Sequence, residues 1–349
     1  MAEGPPGAGG YWLETEAWAD VAPEPLDPAG ERAVAIDYSP EYRDATGVLK
    51  ALMRRGEHSE RALWLTQRVI DMNPAHYSAW EFRRRCLEAT GHDLREEKAL
   101  NDALALSEST KNYQLWNHRR FLVAALGEEA ERELAFTREV LALEPKHYHA
   151  WAHRQWLLKE VGGAGWAGEA AVTAAFLEAD VRNNSAWNHR FFCVSEAPGA
   201  GGLGAQRGAE FEYAARMLRR DVQNESAWNY LRGLFALDGK GEGGGGDEGV
   251  ATIVEHRDAL EAVCAEALGK DPACPFALSF LAEVKLSAAT HASVSGAQSR
   301  LEAKRLAQGA MDLWQQLIGA DPMRTPYWGL RASEAQSLVL SLDLLDDGD

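Results

Sequence analysis

The sequence predicts an all-α protein, a right-handed crescent-shaped solenoid of about seven antiparallel helix pairs. A motif centred on tryptophan recurs, and its five clearest copies lie 36, 35, 36 and 41 residues apart, at Trp80, Trp116, Trp151, Trp187 and Trp228. A nearly constant period of this size is typical of helical arrays, in which each helix pair buries its apolar face against its neighbours. Short turns with glycine, as at Gly91 and Gly127, separate the two helices of a unit. We therefore expect one continuous helical domain.

The helices are expected in the same order in every unit. The first pair should occupy residues 41–72, with Ser59 as the N-cap of its second helix and Asn73-Pro74 as the stop signal. Each later unit repeats a first helix near the tryptophan, a turn and a second helix. Leu278 and Trp328 take the sixth and seventh motif positions, because a proline stands six residues before each, as in two earlier copies.

The repeat domain should cover residues 35–342. A largely irregular segment rich in glycine and proline precedes it (1–34), and an acidic tail follows it (343–349). Two insertions are expected to lengthen the local period and to lie on the surface. They are a flexible glycine-rich stretch at 239–249 and a small-residue stretch at 288–297.

Composition excludes several classes of function. The formal net charge of -17 argues against binding nucleic acid over a broad surface. No apolar run reaches the roughly 18 residues of a membrane span. The four cysteines have no paired metal-ligand spacing, and the N-terminus has no basic stretch leading into an apolar one. We therefore expect a cytoplasmic protein with reduced thiols.

The motif residues themselves are expected to be scaffold. An arginine three residues after the tryptophan shares its helix face, so the indole can pack between helix pairs while the guanidinium meets a neighbouring carboxylate or carbonyl. The histidines of this motif, His118, His153 and His189, follow the same logic. His147, His149 and His153 are close enough in sequence to suggest a metal site, but the repeat already accounts for His153. No metal ligand is therefore assigned to this chain.

Two motif positions vary between copies and carry more information. We number positions relative to the motif tryptophan. Position −2 holds a serine in three copies but Gln114 and His149 in the second and third. Position −5 holds the cations Lys111, Lys146 and Arg182 in three successive copies, near helix N-termini that can bind a phosphate-sized anion. Solvated lysines on an outer edge would give the same pattern, so the residues alone indicate a binding scaffold.

The motif words closely resemble the prenyltransferase α-subunit repeat, and more narrowly the α subunit shared by protein farnesyltransferase and protein geranylgeranyltransferase type I. The words are Lys111-Asn112-Tyr113-Gln114-Leu115-Trp116, Tyr148-His149-Ala150-Trp151-Ala152-His153-Arg154-Gln155-Trp156, Asn183-Asn184-Ser185-Ala186-Trp187-Asn188 and Asn224-Glu225-Ser226-Ala227-Trp228-Asn229-Tyr230. The likeness extends from about Trp18 to Trp328. Such words in register over several repeats are highly specific.

The resemblance implies one subunit of an obligate heterodimer, active only with a farnesyltransferase or geranylgeranyltransferase type I β subunit. The enzyme would transfer a farnesyl or geranylgeranyl group from its diphosphate to the cysteine of a C-terminal CaaX sequence. Zn²⁺ would lie in the β subunit, Mg²⁺ would serve the farnesyl reaction, and this chain would bind no cofactor. The choice of isoprenoid would belong to the β subunit.

The resemblance also implies roles for individual residues. Lys111 matches the lysine that stabilises the leaving diphosphate. Tyr113, Tyr148 and His149 match the wall beside that diphosphate. Gln114 matches the side chain that binds the terminal carboxylate of the CaaX peptide, which would explain its departure from serine.

Two alternatives remain open at this stage. The first is the α subunit of the Rab geranylgeranyltransferase, although the Lys-Asn-Tyr-Gln word resembles the CaaX enzymes. The second is a non-catalytic, tetratricopeptide-like peptide-binding scaffold, whose signature glycine and alanine positions do not occur here. An enzyme subunit should form a stable one-to-one complex with a β subunit, whereas a scaffold should fold by itself.

Overall fold

The computed structural model describes residues 16–26, 36–107, 111–127, 130–160, 163–198, 202–235, 246–294 and 297–346. Within these ranges the chain forms fifteen α-helices and no β-strand, which confirms the predicted all-α repeat fold. The chain divides into two compact units, residues 1–162 and 163–349. No helix in the described ranges has both the length and the apolar composition needed to cross a bilayer.

In the part of the first unit that the structure describes, seven α-helices alternate as first and second members of pairs. They are α1 (Pro40–Arg55), α2 (Glu60–Met72), α3 (Tyr77–Thr90), α4 (Leu94–Ala105), α5 (Tyr113–Leu126), α6 (Ala130–Leu143) and α7 (Tyr148–Glu160). Helices α1, α3 and α5 each end at a glycine with a left-handed backbone, including the expected Gly91 and Gly127. Ser59 caps α2 by accepting the Ala62 N–H at 3.3 Å, as predicted.

The described residues of the second unit form eight α-helices. They are α8 (Glu169–Ala179), α9 (Asn184–Glu196), α10 (Gly202–Arg220), α11 (Glu225–Leu234), α12 (Gly246–Lys270), α13 (Pro275–Ser293), α14 (Ala297–Ala320) and α15 (Thr325–Asp346). The last helix continues to Asp346, so the first part of the expected acidic tail is helical, and residues 347–349 lie outside the described residues. Leu278 packs in the core with Trp314 and Trp328, as expected for degenerate copies of the motif.

The two expected insertions differ from the sequence prediction. Residues 239–245 of the glycine-rich stretch lie outside the described residues, and 246–249 begin α12. The surface prediction for 288–297 is wrong over its first part, because α13 continues to Ser293 and buries Ala288 and Ala289 against α14. Alanine is the strongest helix former and is easily buried. A run of small residues therefore extended a helix here instead of interrupting it.

The N-terminal segment 16–26 is docked on the first helix pair. Trp18 is buried, with its ring 6.3 Å from that of Trp64. Asp20 accepts hydrogen bonds from both terminal nitrogens of Arg61, at 2.8 and 2.9 Å. Gly47 of α1 lies so close to the segment that a side chain there would meet a main-chain oxygen at 2.7 Å. The remainder of the predicted irregular segment, residues 1–15 and 27–34, lies outside the described residues.

Four of the motif tryptophans join the start of their helix to the preceding turn. The indole N–H donates to the main-chain carbonyl six residues earlier, at 2.8 or 2.9 Å, in four copies: Trp80 to Pro74, Trp151 to Pro145, Trp187 to Val181 and Trp228 to Val222. All four indoles are buried. The turn carbonyl is therefore satisfied without water. This hydrogen bond requires a turn of the same length before the tryptophan in each of the four copies.

A second repeated feature is a buried glutamate on the second helix of a pair. Glu97 accepts hydrogen bonds from Arg83 at 2.6 and 2.7 Å and from His118 of the next motif at 2.7 Å. Glu133 binds Arg119 and His153 in the same way. Burial alone would raise the pKa of each carboxyl, but these donors outweigh it and hold both pKa values at about 2. The predicted scaffold role of the arginines and histidines is thus confirmed, with a shared carboxylate as their partner.

Candidate functional site

Two neighbouring turns of the first unit bring the predicted site residues together. The turn before α5 carries Lys111, and the turn before α7 carries Glu144 and leads into Tyr148 and His149. The Lys111 ammonium nitrogen lies 2.8 Å from a carboxylate oxygen of Glu144. The His149 imidazole interacts with the main chain of Lys111. Residues about 35 positions apart in sequence therefore form one local cluster at the N-termini of α5 and α7.

Lys111 is the most exposed charged group of this cluster. Its side chain is 70 % exposed, and it immediately precedes Asn112, the N-cap of α5. The N-terminus of a helix carries partial positive charge from its unpaired N–H groups. The ammonium group and the helix end thus offer positive potential at the same place, which suits a phosphate-sized anion.

Tyr113 and Gln114 follow Lys111 on the first turn of α5. The Asn112 side chain accepts the main-chain N–H of Gln114 at 2.8 Å, which fixes the start of the helix. The Gln114 carboxamide nitrogen donates to the Tyr113 hydroxyl at 2.7 Å, and Gln114 as a whole is only 5 % exposed. An amide NH₂ has two donors, so a second N–H is available for an acceptor beyond Tyr113.

Tyr148 and His149 begin α7 and differ in exposure. Tyr148 is 74 % exposed, whereas His149 is half-buried. Burial lowers the pKa of His149, and its interaction with the Lys111 main chain opposes this shift without cancelling it. The imidazole is therefore neutral at pH 7 and acts as a hydrogen-bonding group, so the cationic charge of the cluster comes from Lys111.

An exposed row of tyrosines adds a residue that the sequence analysis missed. Position −3 is tyrosine in the first three copies, and these side chains are 69 %, 56 % and 74 % exposed: Tyr77, Tyr113 and Tyr148. Tyrosines are enriched in protein interfaces, where the ring is buried and the hydroxyl stays hydrated. The sequence signal was present, since the next two copies have Asn184 and Glu225 at this position.

The histidines that suggested a metal have separate partners. His147 is buried and its ring caps α7 by accepting the Ala150 N–H at 3.1 Å. His149 faces the Lys111 main chain, and His153 binds Glu133. The three histidines therefore bind different partners, and the structure does not bring them together as the ligands of one metal ion.

A different group of potential metal ligands lies in the second unit. Glu169, His189 and Cys193 are buried and place one ligand atom each within 4.8 Å of one another. His189 contacts Glu169 at 2.6 Å, as the equivalent histidines contact Glu97 and Glu133 in copies that have leucine instead of cysteine. The His–Glu pair is therefore explained by the packing of the repeat.

Comparison with known proteins identifies the repeat. The sequence profile described as "Protein prenyltransferase alpha subunit repeat" matches residues 60–90, 94–126, 130–161, 166–197 and 208–237. Each match covers all or most of a second helix and the first helix that follows it, so it contains one buried glutamate or its equivalent and the next tryptophan motif.

Curated relatives match shorter segments of the chain. The protein farnesyltransferase/geranylgeranyltransferase type-1 subunit alpha of Solanum lycopersicum is 42 % identical over 98 residues, which are 28 % of this chain and 28 % of that protein. The subunit of the same name from Schizosaccharomyces pombe is 34 % identical over 104 residues, 30 % of this chain and 35 % of that protein. The matched segment thus spans about a third or less of each relative.

A solved structure matches over nearly the whole fold. It is a chain of the Candida albicans protein geranylgeranyltransferase-I complexed with GGPP, with 25 % sequence identity and a TM-score of 0.70. The match covers 90 % of this chain and 97 % of that chain. Five repeats matched in register, relatives of one name and a shared fold lead to the same assignment: this chain belongs to the protein prenyltransferase alpha-subunit repeat family.

Proposed function

We propose that this chain is the α subunit of a heterodimeric CaaX protein prenyltransferase, active only with a β subunit. The enzyme transfers a farnesyl or geranylgeranyl group from its diphosphate to the cysteine thiol of a C-terminal CaaX sequence. The observation that supports this most directly is the cluster of Lys111, Tyr113, Tyr148 and His149, in which an exposed lysine precedes the N-cap of α5 and the His149 imidazole interacts with the main chain of that lysine.

In the proposed reaction, the cysteine sulfur forms a bond to C1 of the isoprenoid while the bond from C1 to the diphosphate oxygen breaks. Negative charge grows on the departing diphosphate, so a cation beside it stabilises the transition state more than the bound substrate. Lys111 supplies that cation from this chain. The exposed Tyr113 and Tyr148 hydroxyls and the neutral His149 imidazole line the same place and offer hydrogen bonds to phosphate oxygens.

The metal chemistry belongs to the partner in this proposal. Zn²⁺ held by the β subunit would keep the attacking thiol deprotonated at neutral pH, and Mg²⁺ would serve the farnesyl reaction. The tyrosine row defined above would face the same partner. All four cysteines lie in the described residues, are buried and form no disulfide there, which agrees with a reducing, cytoplasmic compartment.

Gln114 is assigned to the terminal carboxylate of the CaaX peptide. One N–H of its carboxamide donates to the Tyr113 hydroxyl. That hydrogen bond orients the amide and leaves its second N–H for the peptide carboxylate. A carboxylate is a strong acceptor for such a donor. Because Gln114 and Lys111 lie on one turn, the peptide end and the diphosphate would bind side by side.

The test is reconstitution with candidate β subunits and assay of isoprenoid transfer to a CaaX peptide, with both lipid diphosphates. We expect Lys111→Ala to slow transfer by about 10- to 1000-fold while lipid affinity stays nearly intact, because the lysine acts in the transition state. Lys146→Ala, which removes the same charge from the same position of the next copy, is the matched control and should keep the parental rate.

The possible results separate the parts of the proposal. Equal rates for the Lys111 variant and the parent would remove Lys111 from catalysis. A stable complex with a β subunit that transfers neither lipid to any CaaX peptide would overturn the proposed function itself.

A further inference from the structure

The ion pair between Lys111 and Glu144 follows a pattern that runs through the array. In three copies, the side chain at position −5 reaches the acidic side chain at position −7 of the next copy: Lys111 to Glu144, Arg182 to Asp221 and Gln223 to Asp271. The acid always directly follows the second helix of a pair. Successive repeats are thus linked at one edge by the same kind of contact, and Lys111 is a member of this set.

Glu144 differs from the other residues at position −7. The shorter side chains there are bound to their own turn, since each accepts the main-chain N–H two residues later at 2.9 to 3.1 Å: Asn73, Asp180, Asp221 and Asp271. Glu144 is longer by one methylene, and its carboxylate extends to the Lys111 amine. Its main chain is fixed by hydrogen bonds to Val140 and from His147. The turn therefore keeps the main chain of Glu144 beside the site, within reach of the Lys111 amine.

We propose that Glu144 is a positioning residue for Lys111, an inference that rests on the proposed function. In the resting enzyme its carboxylate holds the ammonium group beside the N-terminus of α5 and occupies the place of an anion. When the isoprenoid diphosphate binds, Lys111 is shared between this carboxylate and the diphosphate. As charge grows on the leaving group, the lysine transfers fully to it.

The exposure of the pair makes such an exchange feasible. The Lys111 and Glu144 side chains are 70 % and 35 % exposed. Ion pairs in contact with water are weak, so a multiply charged diphosphate can displace the carboxylate. Breaking the Lys111–Glu144 pair costs part of the affinity for any bound diphosphate, including the diphosphate that the reaction releases. The geometry therefore predicts that Glu144 opposes retention of the product diphosphate.

The experiment measures binding of inorganic diphosphate to the reconstituted heterodimer by calorimetric titration. Glu144→Gln removes the charge and keeps the shape, and we expect it to tighten diphosphate binding about two- to five-fold, the range set by an exposed ion pair. The effect should disappear when Lys111→Ala is already present. Glu139→Gln, an exposed glutamate on the same helix α6, is the matched control and should leave binding unchanged.

A contact that only joins two repeats would give different results. Unchanged diphosphate binding in Glu144→Gln, or a tightening of equal size in the absence of Lys111, would overturn the inference. The readout is binding, so it is independent of whether the heterodimer transfers an isoprenoid. A heterodimer that shows the Lys111-dependent tightening but no transfer would support the positioning role and overturn the proposed function.

Discussion

Removal of the Glu133 carboxylate should be one of the most damaging single changes in the first unit. Glu133, Arg119 and His153 are all fully buried, and the carboxylate accepts hydrogen bonds from the other two. Glu133→Ala leaves the Arg119 guanidinium with only Asn101 and Asp102 as acceptors, and it leaves the His153 Nε2 without its partner. Breaking a buried ion pair from one side typically costs about 3–5 kcal/mol, because the remaining charge stays buried.

The loss translates into a measurable shift of the melting temperature. For a unit of this size, 1 kcal/mol corresponds to about 2–4 °C, so Glu133→Ala should lower the melting temperature by roughly 6–20 °C. Circular dichroism of the reconstituted heterodimer, recorded at the α-helical band during heating, measures this shift. Glu139→Ala on the exposed face of the same helix is the control, with an expected change of no more than about 0.5 kcal/mol.

The reasoning fails if the two alanine variants melt at the same temperature. Glu133→Gln adds a second check, because the amide keeps the shape and one acceptor but loses the charge. We expect its melting temperature to lie between those of the parent and Glu133→Ala. A glutamine variant as stable as the parent would show that the charge of Glu133 contributes nothing to the fold.

Three further predictions concern pH, the N-terminal segment and the peptide. The Glu97 and Glu133 pKa values are lowered from 4.5 to about 2, so their stabilisation is complete above pH 4.5, and urea titrations should show it being lost as the pH falls to 2. Gly47→Ala should detach the segment 16–26 and speed its proteolysis, because the added carbon would lie 2.7 Å from a main-chain oxygen, whereas Gly269→Ala in open space should not. Gln114→Ala should weaken CaaX peptide binding by about ten-fold with little effect on the lipid, as for one hydrogen bond to a charged group; an unchanged peptide dissociation constant would exclude it from the site.

The fold could be predicted from the sequence because its signals are local. The tryptophan motif, the glycine turns and the Ser59 cap each lie within a few residues of the structure they specify, and the period of the motif joins them into an array. The buried glutamates were not predicted for the opposite reason. Arg83 reaches a carboxylate 14 residues away and Arg190 one 20 residues away, mainly because Glu210 lies further from the start of α10 than Glu97 does from the start of α4. The distance to the following motif is nearly constant, 20 or 21 residues to its histidine or tyrosine, so the signal lay there and was not used.

The candidate site was predictable only in part. Lys111 and Gln114 were identified from the resemblance of their motif word, and periodicity alone did not separate them from solvated surface residues. Glu144 was missed because it acts from the next repeat, 33 positions after Lys111, and an acid directly after a helix is common in this chain. Glu144 differs from the aspartates at the same motif position by one methylene group. The effect of this extra length is visible only in the structure, where the turns of two repeats lie side by side.

The shared glutamates also set the size of change that the chain can accept in evolution. Such a carboxylate accepts hydrogen bonds from an arginine of one motif and from a histidine or tyrosine of the next, as Glu210 does from Arg190 and Tyr230. A deletion of a few residues between two motifs separates the carboxylate from one of its hydrogen-bond donors and leaves a buried charge uncompensated. Removal of one whole period instead joins an arginine to an equivalent glutamate. Length variation among natural variants of this array should therefore come in steps of a full repeat or in the turns outside these contacts.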